Sequence, residues 1–298
     1  MNSGTSAEGR VSTIASDQGA QAFAGNADSA ADTSLNIGVR VYATEEERMI
    51  EEVVRTRLGS TEPYDAESCP ALTKEYYKAR KEELRQRVTE GRFKHVMGVA
   101  KTAKKLAKLY GVDPRKARLA GILHDWDKPY DDEGIRARAE EVGLPVPPLV
   151  LAHMPATLHG MTAALALHRD FPEIPQDVLQ AVYRHTIASE HMEPLDMVIY
   201  AADCLEPSRQ SEEFDALRSL VGKVSLEELF FRTYGFWTTL VIGKGRTVHP
   251  CTARVYNHYA VLHKQRKEQE RAQAGLAPVV IDPNAVAGQP REGGNALN

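Results

Sequence analysis

Between about residue 71 and residue 264 the apolar positions recur with the period of an α-helix almost throughout. Val96, Val99, Ala100, Ala103, Leu106, Ala107 and Tyr110 follow an i, i+3, i+4, i+7 pattern, and Lys101, Lys104, Lys105 and Lys108 lie mainly on the other side. One helix is predicted there, ending at Gly111 as its C′ residue. A second starts with Asp113 as N-cap and Pro114 at the first helical position. Ala117, Ala120 and Gly121 give that second helix a small-residue face that admits a close neighbour, and the helix delivers His124 and Asp125 at its end. Further helices are predicted around 160–169, at 175–186 after the Phe171-Pro172 break, at 194–203 after Pro194, and from Ser225, where Glu228 completes a capping box. No segment alternates with period two, and 241–250 reads as a turn or at most a small hairpin. The expected fold is all-α.

The ends have another texture. Residues 1–43 are rich in Ala, Ser, Gly and Asp with almost no large apolar side chains, which predicts a disordered tail. Residues 44–79 read as a short amphipathic helix and a polar loop, an extension or linker before a main domain at 80–264. Residues 265–298 read as a charged helix end running into a loose tail. No run of about 18 apolar residues appears, and the N-terminus lacks the basic and apolar pieces of a secretory signal, so the expectation is a cytoplasmic protein with no membrane partner. The three cysteines, Cys69, Cys204 and Cys251, are odd in number and far apart, which argues against a disulfide framework or a thiolate zinc site. A net charge of −4 gives no global attraction to nucleic acid, so a polyanionic substrate must meet a local cluster of positive charge.

Candidate chemistry lies in His95, His124, Asp125, His159, His185 and Asp203, each at or beside the end of an apolar helical pattern. Imidazoles and carboxylates are the ligands that suit iron, manganese and zinc, and the lack of thiolates points to a catalytic rather than a closed structural site. Four histidines and two aspartates are too many for one metal that keeps open positions, but they suit two metals sharing a carboxylate. His153 lies six residues before His159 and competes with it as the ligand. His168, His191, His258 and His263 read as packed or solvated residues, and the Lys101/Lys104/Lys105/Lys108 face as a solvated surface.

The segments RFKHVMGVAKTAKKLA, ARLAGILHDWDK, ATLHGMTAALAL, AVYRHTI, MVIYAADCLEPSR and TVHPCTARVYN, over roughly 80–258, resemble in order the HD-domain phosphohydrolases. More narrowly, they resemble the YqeK family related to symmetrical diadenosine tetraphosphate hydrolases. Glu206-Pro207 and Tyr256-Asn257 strengthen the match, whereas Met161 stands where the family usually has proline. The resemblance favours His159 over His153 as ligand and leaves His153 as a candidate outer-site residue that contacts substrate or protonates a leaving group. It implies a centre of two divalent transition-metal ions, iron first with manganese or zinc as alternatives, bridged by Asp125. A metal-bound hydroxide would be the nucleophile. It also implies hydrolysis of a dinucleoside polyphosphate, diadenosine tetraphosphate giving two ADP.

Lys128, three residues after Asp125, matches a lysine of related HD domains and is the expected phosphate contact. Arg209 and Arg184 are further substrate-binding candidates, each with a structural ion pair as its alternative role. Thr186 is expected to touch a phosphate or to hold His185 in place. The following IASE departs from the Ser/Thr-Gly turn frequent in the family. Two other functions stay open: an HD hydrolase of nucleoside monophosphates, deoxynucleotides or cyclic nucleotides, and a nucleotide-binding regulatory module. The expected partner is a nucleotide substrate rather than nucleic acid, and a homodimer is left open.

Overall fold

The computed structural model describes residues 52–53, 57–58 and 68–275. The expected N-terminal tail, most of the 44–67 segment and the C-terminal tail beyond Gly275 lie outside the described residues. Among those described there is no strand, and eleven α-helices follow one another. They are α1 (Lys74–Arg87), α2 (Glu90–Tyr110), α3 (Pro114–Leu123), α4 (Asp132–Glu141), α5 (Pro148–His153), α6 (His159–Asp170), α7 (Gln176–Arg184), α8 (Pro194–Leu205), α9 (Glu212–Arg218), α10 (Leu226–Gly243) and α11 (Thr252–Gln273). Helix α1 runs across the expected domain start at residue 80.

Local chemistry sets the boundaries. Thr89 caps α2 by accepting from the Arg92 N–H, and α2 ends where Gly111 takes a left-handed conformation (φ 76°). Asp113 accepts from the Arg115 N–H, and Pro114 opens α3. Ser225 caps α10 through the Glu228 N–H, but only half of the predicted capping box forms. The Glu228 carboxylate turns instead to Arg232 and His263. The 241–250 stretch starts inside α10 and continues as turns, without a hairpin.

Five helices frame the centre. Helix α2 packs most extensively on α3 and next on α8, while α7 joins α6 to α8. The α2–α3 contact depends on Gly121, because a Cβ there would stand 2.6 Å from the Cα of Ala100. Side chains such as Val96, Val99, Leu119, Ile122, Val182, Val198 and Ile199 are buried between them. Burying an aliphatic side chain of this kind contributes about 1.5–3 kcal/mol. The apolar faces therefore hold fixed the helix ends on which the candidate ligands sit.

Candidate metal centre

Each candidate ligand projects from a point where a helix starts, stops or turns its polar edge inward. His95 lies in the second turn of α2, His124 is the C-cap of α3 and Asp125 follows it. His159 opens α6, His185 is the C-cap of α7, and Asp203 is near the end of α8. The structure brings all six together.

The imidazoles are aimed by one repeated device. Nδ1 of His124 donates to the Gly121 carbonyl (2.8 Å), Nδ1 of His159 to the Ala156 carbonyl (2.8 Å) and Nδ1 of His185 to the Val182 carbonyl (2.7 Å). A carbonyl can only accept, so the ring proton sits on Nδ1 and the Nε2 lone pair faces the centre. His95 uses a carboxylate instead, its Nδ1 lying 3.0 Å from Oε1 of Glu206. The buried Nε2 atoms of His95 and His124 make no hydrogen bond. Nε2 of His159 and His185 stand 3.0 Å apart, an arrangement that two lone pairs favour only around a shared cation.

Asp125 lies between two sets of nitrogens. Its Oδ1 is 3.1 Å from His159 Nε2 and 4.0 Å from His185 Nε2, while its Oδ2 is 3.4 Å from His124 Nε2 and 3.9 Å from His95 Nε2. Asp203 Oδ1 is 3.0 Å from His95 Nε2. Ligands bound at about 2.0–2.2 Å to one ion lie between about 3 Å apart when adjacent and about 4.4 Å when opposite, so the spacings suit divalent metal. Two groups, His95/His124/Asp125 and Asp125/His159/His185, each have the donor set and proximity to hold an ion, and Asp125 belongs to both.

The carboxylates and His185 hold the charge states that ligation needs. For His124 the effect of burial is outweighed by Asp125 and Asp203, which pull its pKa up, so an ion has to displace that proton. Burial alone would raise the Asp125 pKa, but His124 and His159 outweigh it and hold the carboxyl well below its usual range. Asp203 is likewise pulled far down, against the effect of enclosure, by His95 and Arg209. Burial, with His159 and His124 alongside, pushes His185 down to about 3, so it is neutral and has a lone pair to offer at neutral pH.

Around this cluster stand cations. Arg209 donates to the Asp203 carboxylate (2.8 Å) and to its carbonyl. Lys128 sits on the turn after Asp125, its N–H donating to the Asp125 carbonyl, and burial with Arg92 and Arg209 nearby lowers its pKa against the pull of Asp125 and Asp203. Thr186 Oγ1 is 3.2 Å from His185 Nε2 and 3.5 Å from His159 Nε2.

Two candidates had alternatives. His153 is exposed at the end of α5, and His159, which the resemblance favours, is the histidine whose Nε2 enters the cluster. Arg184 takes the ion pair that stood as its alternative role, its buried guanidinium donating to the Asp196 carboxylate (2.9 Å) and the His191 carbonyl (2.6 Å). It holds α7 against α8.

Other site residues emerge only in three dimensions. Arg92 donates to Asp125 Oδ2 at 2.9 Å, and its one sequence signal is a position one turn before His95. Glu206 is buried and also accepts from the Ser208 N–H and hydroxyl. Gly98 makes room for it, since a Cβ there would stand 2.5 Å from Glu206 Oε2. Gly160 does the same for His185, whose ring atoms would lie 2.7 Å from a Cβ.

Known proteins are similar to this chain in sequence and in fold. Residues 92–208 match the family model of the HD domain. The chain is 31% identical over 181 residues to a protein of Halalkalibacterium halodurans named bis(5'-nucleosyl)-tetraphosphatase, symmetrical, covering 61% of this chain and 95% of that one. A Bacillus subtilis protein of the same name is 30% identical, with 58% and 92% covered. Among solved structures, a predicted HD superfamily hydrolase involved in NAD metabolism from Clostridium acetobutylicum superposes with a TM-score of 0.58 at 30% identity, covering 62% of this chain and 97% of that one.

Proposed function

The chain belongs to the HD-domain family of metal-dependent phosphohydrolases, and from that premise we propose that it cuts dinucleoside polyphosphates symmetrically, diadenosine tetraphosphate giving two ADP, at a two-metal His/Asp centre. The observation that carries the metal reading is the division of Asp125, with Oδ1 toward His159 and His185 and Oδ2 toward His124 and His95. The names of the relatives at about 30% identity support the substrate.

Two divalent ions held there, iron being the first expectation, would activate a water and neutralise charge on the phosphate oxygens. The chain's own residues do the rest. The carbonyl-anchored imidazoles and the Glu206-anchored His95 arrive with their lone pairs already directed, so no reorganisation accompanies the reaction. Lys128, Arg92 and Arg209 place three positive charges on the rim of a cluster whose own carboxylates are ionised. A polyphosphate chain entering this rim replaces carboxylate partners with phosphate oxygens, which match the planar Arg forks and the Lys128 ammonium. Water attacks an inner phosphorus, the bridging P–O bond to the leaving ADP breaks, and Lys128 stabilises the negative charge that builds on the departing oxygen.

The reading is tested with iron-loaded protein and diadenosine tetraphosphate in oxygen-18 water. ADP as essentially the single nucleotide product, with one label on one of the two ADP molecules, supports it. Equal release of AMP and ATP means asymmetric attack and contradicts it.

A further inference from the structure

Helix α2 carries chemistry on two flanks. His95 points into the cluster, whereas Met97, Lys101 and Lys104 lie about 180–240° further round the helix. These three line a groove of ≈ 330 Å³ completed by Tyr77 and Lys81 of α1 and Arg118 of α3. Four of its six lining side chains are cationic and none is a carboxylate. The surrounding stretch is just as unbalanced: between Lys74 and Arg118 fifteen lysines and arginines meet five aspartates and glutamates, in a chain whose net charge is −4. Of those five acids, Glu83 pairs with Arg80 and Asp113 with Arg115, away from the groove.

Like charges gathered in a concavity repel one another, and an anion seated among them relieves that repulsion. The groove has more structure than a row of solvated lysines. The Arg118 guanidinium lies 3.6 Å from the Tyr77 ring centroid, which fixes a planar fork at the wall, and a guanidinium fork matches phosphate oxygens. Its volume of ≈ 330 Å³ is at the small end of ligand pockets and gives room for a chain of phosphates. We propose that this groove is a second phosphate-binding site, separate from the metal centre, which takes the polyphosphate chain of a small ligand of the nucleoside polyphosphate class. Because the groove is on the far flank of α2 from His95, the molecule bound there is not the one being cut.

The test is isothermal titration of the full-length protein with inorganic tripolyphosphate. Wild type is expected to show two classes of site. K101E/K104E should weaken one of them at least tenfold and leave the other, together with the hydrolysis rate, in place. The milder K101Q/K104Q should weaken the same site, so a folding defect in the reversal does not decide the matter. K105E/K108E, reversing the same charge on the same helix outside the groove, should retain both sites. Unchanged binding in K101E/K104E and K101Q/K104Q, or equal loss in K105E/K108E, overturns the proposal. A single-stranded oligonucleotide that binds more tightly than tripolyphosphate, and does so through Lys101 and Lys104, overturns its ligand class.

Discussion

Lys128 is the residue at which charge and coordination separate. It stands beside Asp125 and Asp203 but is not among the ligands, so Lys128→Ala should keep the metal content and lose about 2–4 kcal/mol of transition-state stabilisation. Lys128→Arg should recover only part of that loss, since a planar fork does not reproduce a compact ammonium. Steady-state kinetics and metal analysis on the same samples check this. Unchanged kcat/KM in the alanine variant removes Lys128 from the site, and a fall with metal loss reassigns it to supporting the ligands. Ala188 shows how departure from a family pattern appears in the backbone. Three residues after His185, in the IASE segment, it is buried at φ 61°, a left-handed conformation that suits glycine. Ala188→Gly relieves about 1–2 kcal/mol of strain but adds unfolded-state entropy of about 0.4–1 kcal/mol and loses a buried methyl worth about 0.8 kcal/mol, so its stability should stay within about 1 kcal/mol of wild type. Ala188→Val, branched at Cβ, should lose about 2 kcal/mol or more by urea denaturation. Equal stability of the two variants would mean that the turn is not held left-handed. The ligand types were legible because six segments match the HD-domain phosphohydrolases in order, whereas a lone Asp or His at a helix end has other uses, as Asp113 has in capping α3. The roles of Arg92 and Glu206 were not, because each depends on a contact made only when helices distant in sequence meet.

Helix boundaries were legible where capping chemistry is local. Gly111, Asp113 and Pro114 mark the α2–α3 turn in the sequence and in the structure alike. The half-formed box at Ser225 shows the limit of that kind of reading. Glu228 meets the Arg232 guanidinium one turn on and the His263 ring from α11, and these side-chain partners outcompete a backbone N–H. The small-residue face of α3 was also legible, and it has a functional consequence. Gly121 lets α3 approach α2, and these helices carry His124 and His95, on one side of Asp125. Gly121→Ala should force the pair apart, costing about 1–3 kcal/mol in stability and lowering metal content as well, as read by thermal unfolding and metal analysis. Lost stability with full metal content would mean that the ligands do not depend on this contact. Gly160→Ala acts on the other group of ligands, because its Cβ would stand 2.7 Å from both the His185 ring and the Val182 carbonyl that anchors it, so metal content and stability should fall together.

Across the whole molecule, the helical period was enough for an all-α fold, and the described residues form one without a strand. No described helix is long and apolar enough to cross a membrane. What periodicity could not supply was which face of each helix meets which neighbour, and so which of His153 and His159 reaches the centre or where Arg184 points. Those follow from how the helices pack, α6 on α7 for His159 and α7 on α8 for Arg184. That packing also makes Asp125 common to both groups of ligands, the arrangement on which the two-metal account rests. The most direct measurement is the metal content of protein prepared without chelator, as wild type and as Asp125→Ala, His159→Ala and His185→Ala. The account predicts about two transition-metal ions per wild-type chain, loss of one in each histidine variant, and loss of both metal and activity in Asp125→Ala. A single tightly bound ion, unaffected by removal of His159 or His185, would contradict it.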